Sequence, residues 1–260
     1  HTLRTEDILQ TIQEHGEELA LVMMGGINYY TGQVYDMEAI TRAGHEVGAM
    51  VGFDLAHAAG NVPMQLHDWG IDFAVWCTYK YLNSGPGGTS GVFVHERHGN
   101  NPDLPRFAGW WGHDAAARFQ MKKGFIPMPG AEGWQLSNGQ ILPFAVHRAS
   151  LELFEEAGME NLRQKSEKLT GYLEYLIDDV HAGKDVMEMI TPRDPKARGC
   201  QISLLVKKDA RMLFDKLMEA GIIVDYREPN VIRVAPTPLY NSFEEVYRFS
   251  EILHECLQGH

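Results

Sequence analysis

Short, continuously apolar runs alternate with amphipathic stretches through the first third of this chain, and that alternation limits the fold more than any other feature. Leu19-Ala-Leu-Val-Met23 shows no polar alternation, which is the pattern of a buried strand. Asp36 then stands at a helix N-cap position, and Ile40, Ala43 and Val47 recur behind it at helical spacing. Met50 to Phe53 reads as the next strand, and Ile71-Asp-Phe-Ala-Val-Trp76 as a further apolar run. Strand, helix and strand in this order predict a mostly parallel sheet covered by helices. Ahead of it, Thr5 is the expected cap of a first helix, with Glu6 and Asp7 in its first turn and Gly16 as its stop.

Ligands of such sheets bind beyond the carboxyl ends of the strands. One of those ends carries Asp54, with His57 three residues on. The later run leads into Thr78-Tyr-Lys80-Tyr-Leu-Asn83, so Lys80 follows Asp54 by 26 residues, room for a short helical crossover and one more strand. A carboxylate and an amine delivered from neighbouring strand ends suit pyridoxal 5'-phosphate. The amine attaches to the cofactor aldehyde, and the carboxylate keeps the pyridine nitrogen protonated. Spacing alone also admits a surface lysine and a helix-capping aspartate.

The rest of the chain narrows the classes. A net charge of −12 argues against a binder of phosphate backbones, which presents a basic surface. No apolar run approaches the roughly 20 residues that span a bilayer, and Cys77, Cys200 and Cys256 show neither disulfide nor zinc spacing, so a cytoplasmic setting is expected. Gly85-Pro-Gly-Gly88 has no following Lys-Ser/Thr pair and is a turn rather than a phosphate loop. His95-Glu-Arg-His98 is read as a solvated loop with no metal. After Asn138 the pattern becomes long helices, about Leu142 to Ala157 and Glu160 to Val180. Strand, strand, helix, strand, strand and helix follow, predicting a large domain over residues 1–144 and a small α+β domain over 145–260.

Gly52-Phe-Asp-Leu-Ala-His-Ala-Ala-Gly-Asn61, His67-Asp-Trp-Gly-Ile-Asp-Phe-Ala74 and Tyr79-Lys-Tyr-Leu-Asn83 resemble the kynureninases. So do Gly109-Trp-Trp-Gly-His113, Ser137-Asn138, Leu169 to Ile177 and Ile232-Arg-Val-Ala-Pro-Thr-Pro-Leu-Tyr-Asn-Ser-Phe243, in order. The resemblance implies an α/β fold of the aspartate-aminotransferase type (fold type I), with part of the large domain and all of the small one. It also implies a further stretch upstream that carries the ring-stacking aromatic and several phosphate ligands.

The activity implied is hydrolysis of L-kynurenine, or its 3-hydroxy derivative, to the anthranilate and L-alanine, in tryptophan catabolism and NAD biosynthesis. By the same resemblance Lys80 holds the cofactor and moves protons, Asp54 pairs with the pyridine nitrogen, and His57 lies beside it. Tyr79 touches the phosphate and relays a proton, Trp110 and Asn138 contact cofactor and substrate, and Arg233 takes the substrate carboxylate. Gly25 departs from relatives that place a serine there. A homodimer with the active site at its interface is expected. Two rivals stay open: a cysteine desulfurase or selenocysteine lyase, with Cys200 as its only nucleophile candidate, and a fragment that folds without catalysis. The segment Gly199 to Val206 reads as strand, which would hold Cys200 in place.

Overall fold

The computed structural model describes residues 1–180 and 185–258. β1 (Leu21–Gly25), β2 (Met50–Asp54) and β3 (Phe73–Cys77) pair in parallel, and β4 (Ser90–Val94) closes the sheet antiparallel to β3. Side chains alternate across these strands. Val22, Val51, Phe53 and Ala74 are buried on one face, in one core with Ile12 of α1 (Thr5–Glu14) and Ile40 and Ala43 of α2 (Met37–Glu46). Gly44 sets the distance, since a Cβ there would stand 2.5 Å from the Val51 side chain. On the opposite face Leu21, Met23, Met50, Val75 and Val92 are exposed.

A second sheet follows from β5 (Met187–Met189), β6 (Ile202–Val206), β7 (Asp225–Arg227) and β8 (Val231–Val234), antiparallel in the order β5-β6-β8-β7. The short α3 (Glu96–Gly99) and the long α4 (Ile141–Ala157) precede it in the chain, and the expected division at 144/145 falls within α4. The second core joins Leu169 and Leu173 of α5 (Met159–Val180), Leu213 of α6 (Ala210–Glu219) and Leu253 of α7 (Phe243–Gln258) to Ile202, Leu204 and Ile232.

Several expectations shift. Thr5 does not cap α1; Arg4 holds the N-cap position without a side-chain bond to the helix backbone, its guanidinium pairing instead with the Asp7 carboxylate, and the helix ends at Glu14, before Gly16. Asp36 does cap α2, accepting from Ala39 N–H at 2.9 Å. β1 begins two residues later than its apolar run and ends on Gly25. The connection from Asp54 to β3 is built of turns rather than a helix. Cys200 precedes β6 instead of lying in it, yet it is fully buried and its N–H donates to Asn61 Oδ1 at 2.9 Å.

His95 and His98 are not on a solvated loop. His95 is buried, caps α3 and stacks on His67 at 4.8 Å. His98 Nε2 lies 2.7 Å from Asp72 Oδ1, an oxygen that also accepts from Arg97 Nε at 3.0 Å. The other oxygen accepts from Val51 N–H at 2.7 Å and lies 2.8 Å from His45 Nε2. Burial would raise this carboxyl's pKa, but those partners outweigh it and hold Asp72 below the usual carboxylate range. One buried carboxylate thus ties α2, β2, β3 and α3 together.

The two sheets meet through residues 28–34. Asn28 Oδ1 accepts from the Tyr30 and Thr31 N–H groups, each at 2.9 Å, and this turn presents successive carbonyls to the second sheet. Tyr29 O accepts from Gln201 Nε2 at 3.2 Å, Tyr30 O from Ser203 Oγ at 2.6 Å, and Thr31 O from Thr191 Oγ1 at 2.5 Å.

Candidate active site

Asp54 is the last residue of β2, and its Oδ1 accepts from Ala56 N–H at 2.8 Å, which turns the chain so that His57 comes back toward the strand ends. Lys80 follows β3 in a turn closed by Ser84 N–H to Thr78 O at 3.0 Å and Asn83 N–H to Lys80 O at 3.1 Å. The result is contact: Lys80 Nζ lies 3.2 Å from His57 Nε2. Burial, then the Lys80 charge and the more distant Arg233, push the His57 pKa down to about 4 against the pull of Asp54. Its Nδ1 is buried with no hydrogen-bond partner. Asp54 and His57 line a cavity of about 270 Å³ together with Gly25, Ile27, Asn28 and Tyr29.

Arg233 reaches this region from the second sheet. Its side chain is 10% exposed, its Nη1 donates to Tyr29 O at 2.5 Å, and its Nη2 is ion-paired with Asp225. Nε is buried without a partner. Burial pulls the guanidinium pKa down, opposed by Tyr81 and Tyr29.

Tyr81, next to Lys80 in sequence, packs edge-on to the His57 ring at 6.1 Å. Its hydroxyl bonds Cys200, and burial followed by that thiol drives its ionisation well above the ordinary range. Burial likewise pushes the Cys200 thiol up to about 12, although bonds from Tyr81 and Thr237 oppose it. A thiol so placed is neutral and immobile, the opposite of what a sulfur nucleophile needs. Tyr79 is 52% exposed, and the neighbouring Cys77, bonded to its hydroxyl, raises its pKa.

Residues 162–253 match the model of the kynureninase C-terminal domain. Over its whole length the chain is 60% identical to a kynureninase of Myxococcus xanthus and 54% identical to one of Flavobacterium johnsoniae. The chain belongs to the kynureninase family. It spans 59% and 61% of those two relatives' own lengths.

Among solved structures, a cysteine desulfurase of Thermococcus onnurineus superposes with a TM-score of 0.77 at 18% identity, over 100% of this chain and 64% of that one. An alanine–glyoxylate aminotransferase of Nostoc matches at 0.72 and 19%, over 99% and 66%. At such identities the likeness establishes the fold, which is that of the fold-type I enzymes.

For a kynureninase-family chain the structure puts Asp54 and His57 on one cavity, Lys80 against His57, and Arg233 against the main-chain oxygen of Tyr29, another residue of that lining. Trp110 and Asn138 stand apart from them. Trp110 is exposed and meets Phe119 edge-on at 5.4 Å, in a loop held by Gly112 N–H to Gln135 O at 2.9 Å. Asn138 is exposed on the approach to α4. Neither makes a hydrogen bond or ring contact with the four among the described residues. Trp111 is packing, with the Arg118 guanidinium 4.5 Å over its ring.

Sequence reasoning missed Tyr29, Tyr81 and Asp225. Asp225 had a readable signal, since two short strands about a turn at Glu228-Pro-Asn230 place it opposite Arg233. Tyr29 acts through its backbone carbonyl, which no side-chain motif announces.

Proposed function

We propose that this chain carries the lysine, pyridine-pairing and carboxylate-binding residues of a kynureninase, acting on L-kynurenine or its 3-hydroxy derivative to give the anthranilate and L-alanine. The observation that carries the reading is 60% identity to a kynureninase across the whole chain, which includes every residue of the Asp54, His57, Lys80 and Arg233 group. That group also fits pyridoxal 5'-phosphate. Asp54 lines the cavity, Lys80 supplies an amine against His57 of the same lining, and the orphaned, buried His57 Nδ1 asks for a polar partner. When bound, the cofactor supplies an electron sink for charge that develops at the substrate's α-carbon.

The chain's own residues do the rest. Lys80 Nζ takes the proton from Cα and returns it, with neutral His57 beside it as a hydrogen-bond partner that does not compete as a cation. Asp54 fixes the cofactor's ring nitrogen in its protonated form. Arg233 sets the α-carboxylate, and so determines which bond at Cα lies in position to ionise. Tyr79, Trp110 and Asn138 complete the proposed contacts to cofactor and substrate.

The test is fluorescence of released anthranilate from kynurenine by the complete gene product. Turnover by the wild type that vanishes in Lys80→Ala supports the proposal; a cofactor-loaded protein that releases none overturns it. Arg233→Ala should weaken kynurenine binding roughly a hundredfold while the cofactor spectrum is kept. The desulfurase reading requires a mobile thiolate, and the burial of Cys200 speaks against it. A non-catalytic role would show as a protein without visible or near-ultraviolet cofactor absorbance after loading.

We extend the proposal to assembly and setting. The exposed apolar residues Ile141, Leu142 and Val146 of α4 support a homodimer, the three free thiols fit the reducing cytoplasm, and α4 marks the passage between a large and a small domain.

A further inference from the structure

We propose that Asp225 and Arg227 form, with Arg233, a charge relay that holds the guanidinium in place for the substrate carboxylate, and that Asp225 is thereby a positioning residue for substrate binding. The inference rests on the proposed role of Arg233 as carboxylate anchor.

The geometry starts from strand register. β7 and β8 are antiparallel, and Asp225 stands directly opposite Arg233. Residues in direct cross-strand register on one face hold their side chains side by side. The Asp225 carboxylate is ion-paired with Arg233 Nη2, and its Oδ2 also accepts from Arg227 Nη2 at 3.0 Å. One carboxylate therefore serves two guanidiniums.

Two consequences distinguish this from an ordinary structural ion pair. The first is charge. Asp225 neutralises only one of its two partners, so the trio keeps a net positive charge although Arg233 itself is paired. An arginine neutralised one-to-one would offer little to an incoming anion. The second is donor placement. With Nη2 held by Asp225 and Nη1 by Tyr29 O, the guanidinium plane is fixed from both ends; each Nη keeps a second N–H, and Nε is buried with no partner at all. A buried donor without a partner marks the side from which an acceptor must come. Arg227 and Arg233 both lie near enough to His57 for their charges to depress its basicity. Arg227 and Asp225 are themselves half-exposed, at 45% and 43%, and hold Arg233 from the solvent side.

The experiment uses the complete, cofactor-loaded protein and follows cofactor absorbance during titration with L-alanine and with L-alaninamide, which lacks the carboxylate. The wild type is expected to bind alanine more tightly. In Asp225→Asn that preference should fall about tenfold, the loss of roughly 1.4 kcal/mol of carboxylate recognition, with alaninamide binding little changed. Asp225→Glu should restore most of it. Arg227→Ala, at a half-exposed position, should also reduce the preference, and it carries the test if Asp225→Asn does not fold.

An unchanged preference in both variants overturns the proposal. A preference that rises in Asp225→Asn also overturns it, because Asp225 would then be competing with the ligand. A wild type with no preference for the carboxylate form removes the role of Arg233 itself, and this inference with it.

Discussion

Burial, the Lys80 ammonium at 3.2 Å and the more distant Arg233 and Arg227 all depress the basicity of the His57 imidazole, with Asp54 opposing them. Its folded pKa of about 4 lies below the ordinary histidine value, so between those two pH values the unfolded chain binds more protons than the folded one. Stability must then rise with pH across that window and be lost as pH falls from about 6.5 toward 4. His57→Asn should flatten this part of the profile in the cofactor-free protein, measured as urea midpoints at pH 7 and pH 4.5. A profile as steep as wild type would mean that another group carries the dependence. Cys200 yields a second expectation. Its thiol is neutral and enclosed, so Cys200→Ser should leave anthranilate release within about twofold, whereas loss of release with fold and cofactor spectrum intact would give the sulfur a chemical role.

Among the secondary elements, Asp72 is the tie with most depending on it. Asp72→Asn leaves Arg97 without its buried counter-charge and loosens α2, β2, β3 and α3 together, at a cost of about 3–5 kcal/mol. Thermal or urea unfolding measures it, and a loss below about 1 kcal/mol would show that the histidines and Val51 N–H find other partners. Asp36→Ala removes only the α2 cap and should cost about 1 kcal/mol.

These two aspartates show what was legible in the sequence. Asp36 was readable because capping is local and precedes a periodic apolar stripe. Asp72 was not, because its partners lie on three other elements and the residue sits inside an otherwise apolar run. The same division holds at the site. Asp54, His57 and Lys80 came from strand ends and motif words, and the order of elements in the second half matched its periodicity. The turns between Asp54 and β3 were mistaken for a helix because spacing gives the length of a connection and not its shape. The partners of Arg233 were hidden for a further reason, since one is a cross-strand neighbour and the other a main-chain oxygen.

For the whole molecule, the two sheets are joined by Thr191, Gln201 and Ser203 donating to three successive carbonyls. Thr191→Val removes a hydroxyl that donates to Thr31 O and accepts from Ser203 N–H at 2.8 Å, and should lower stability by about 1–3 kcal/mol. Calorimetry should show a single transition in the wild type, and two separated transitions would mean that the join is weaker than its bonds suggest. The acceptors in that join are all main-chain atoms. No substitution at positions 29 to 31 can delete a carbonyl oxygen, so this side of the seam tolerates drift at Tyr29 and Tyr30, whereas Thr31 is buried and its Oγ1 accepts from Gln33 N–H. Mutational sensitivity falls on the donors across from it, on Thr31 and on Asn28, which shapes the turn. A lineage could therefore change the surface that Tyr29 presents to whatever enters the cavity while the spacing between the lysine and the arginine stays as it was.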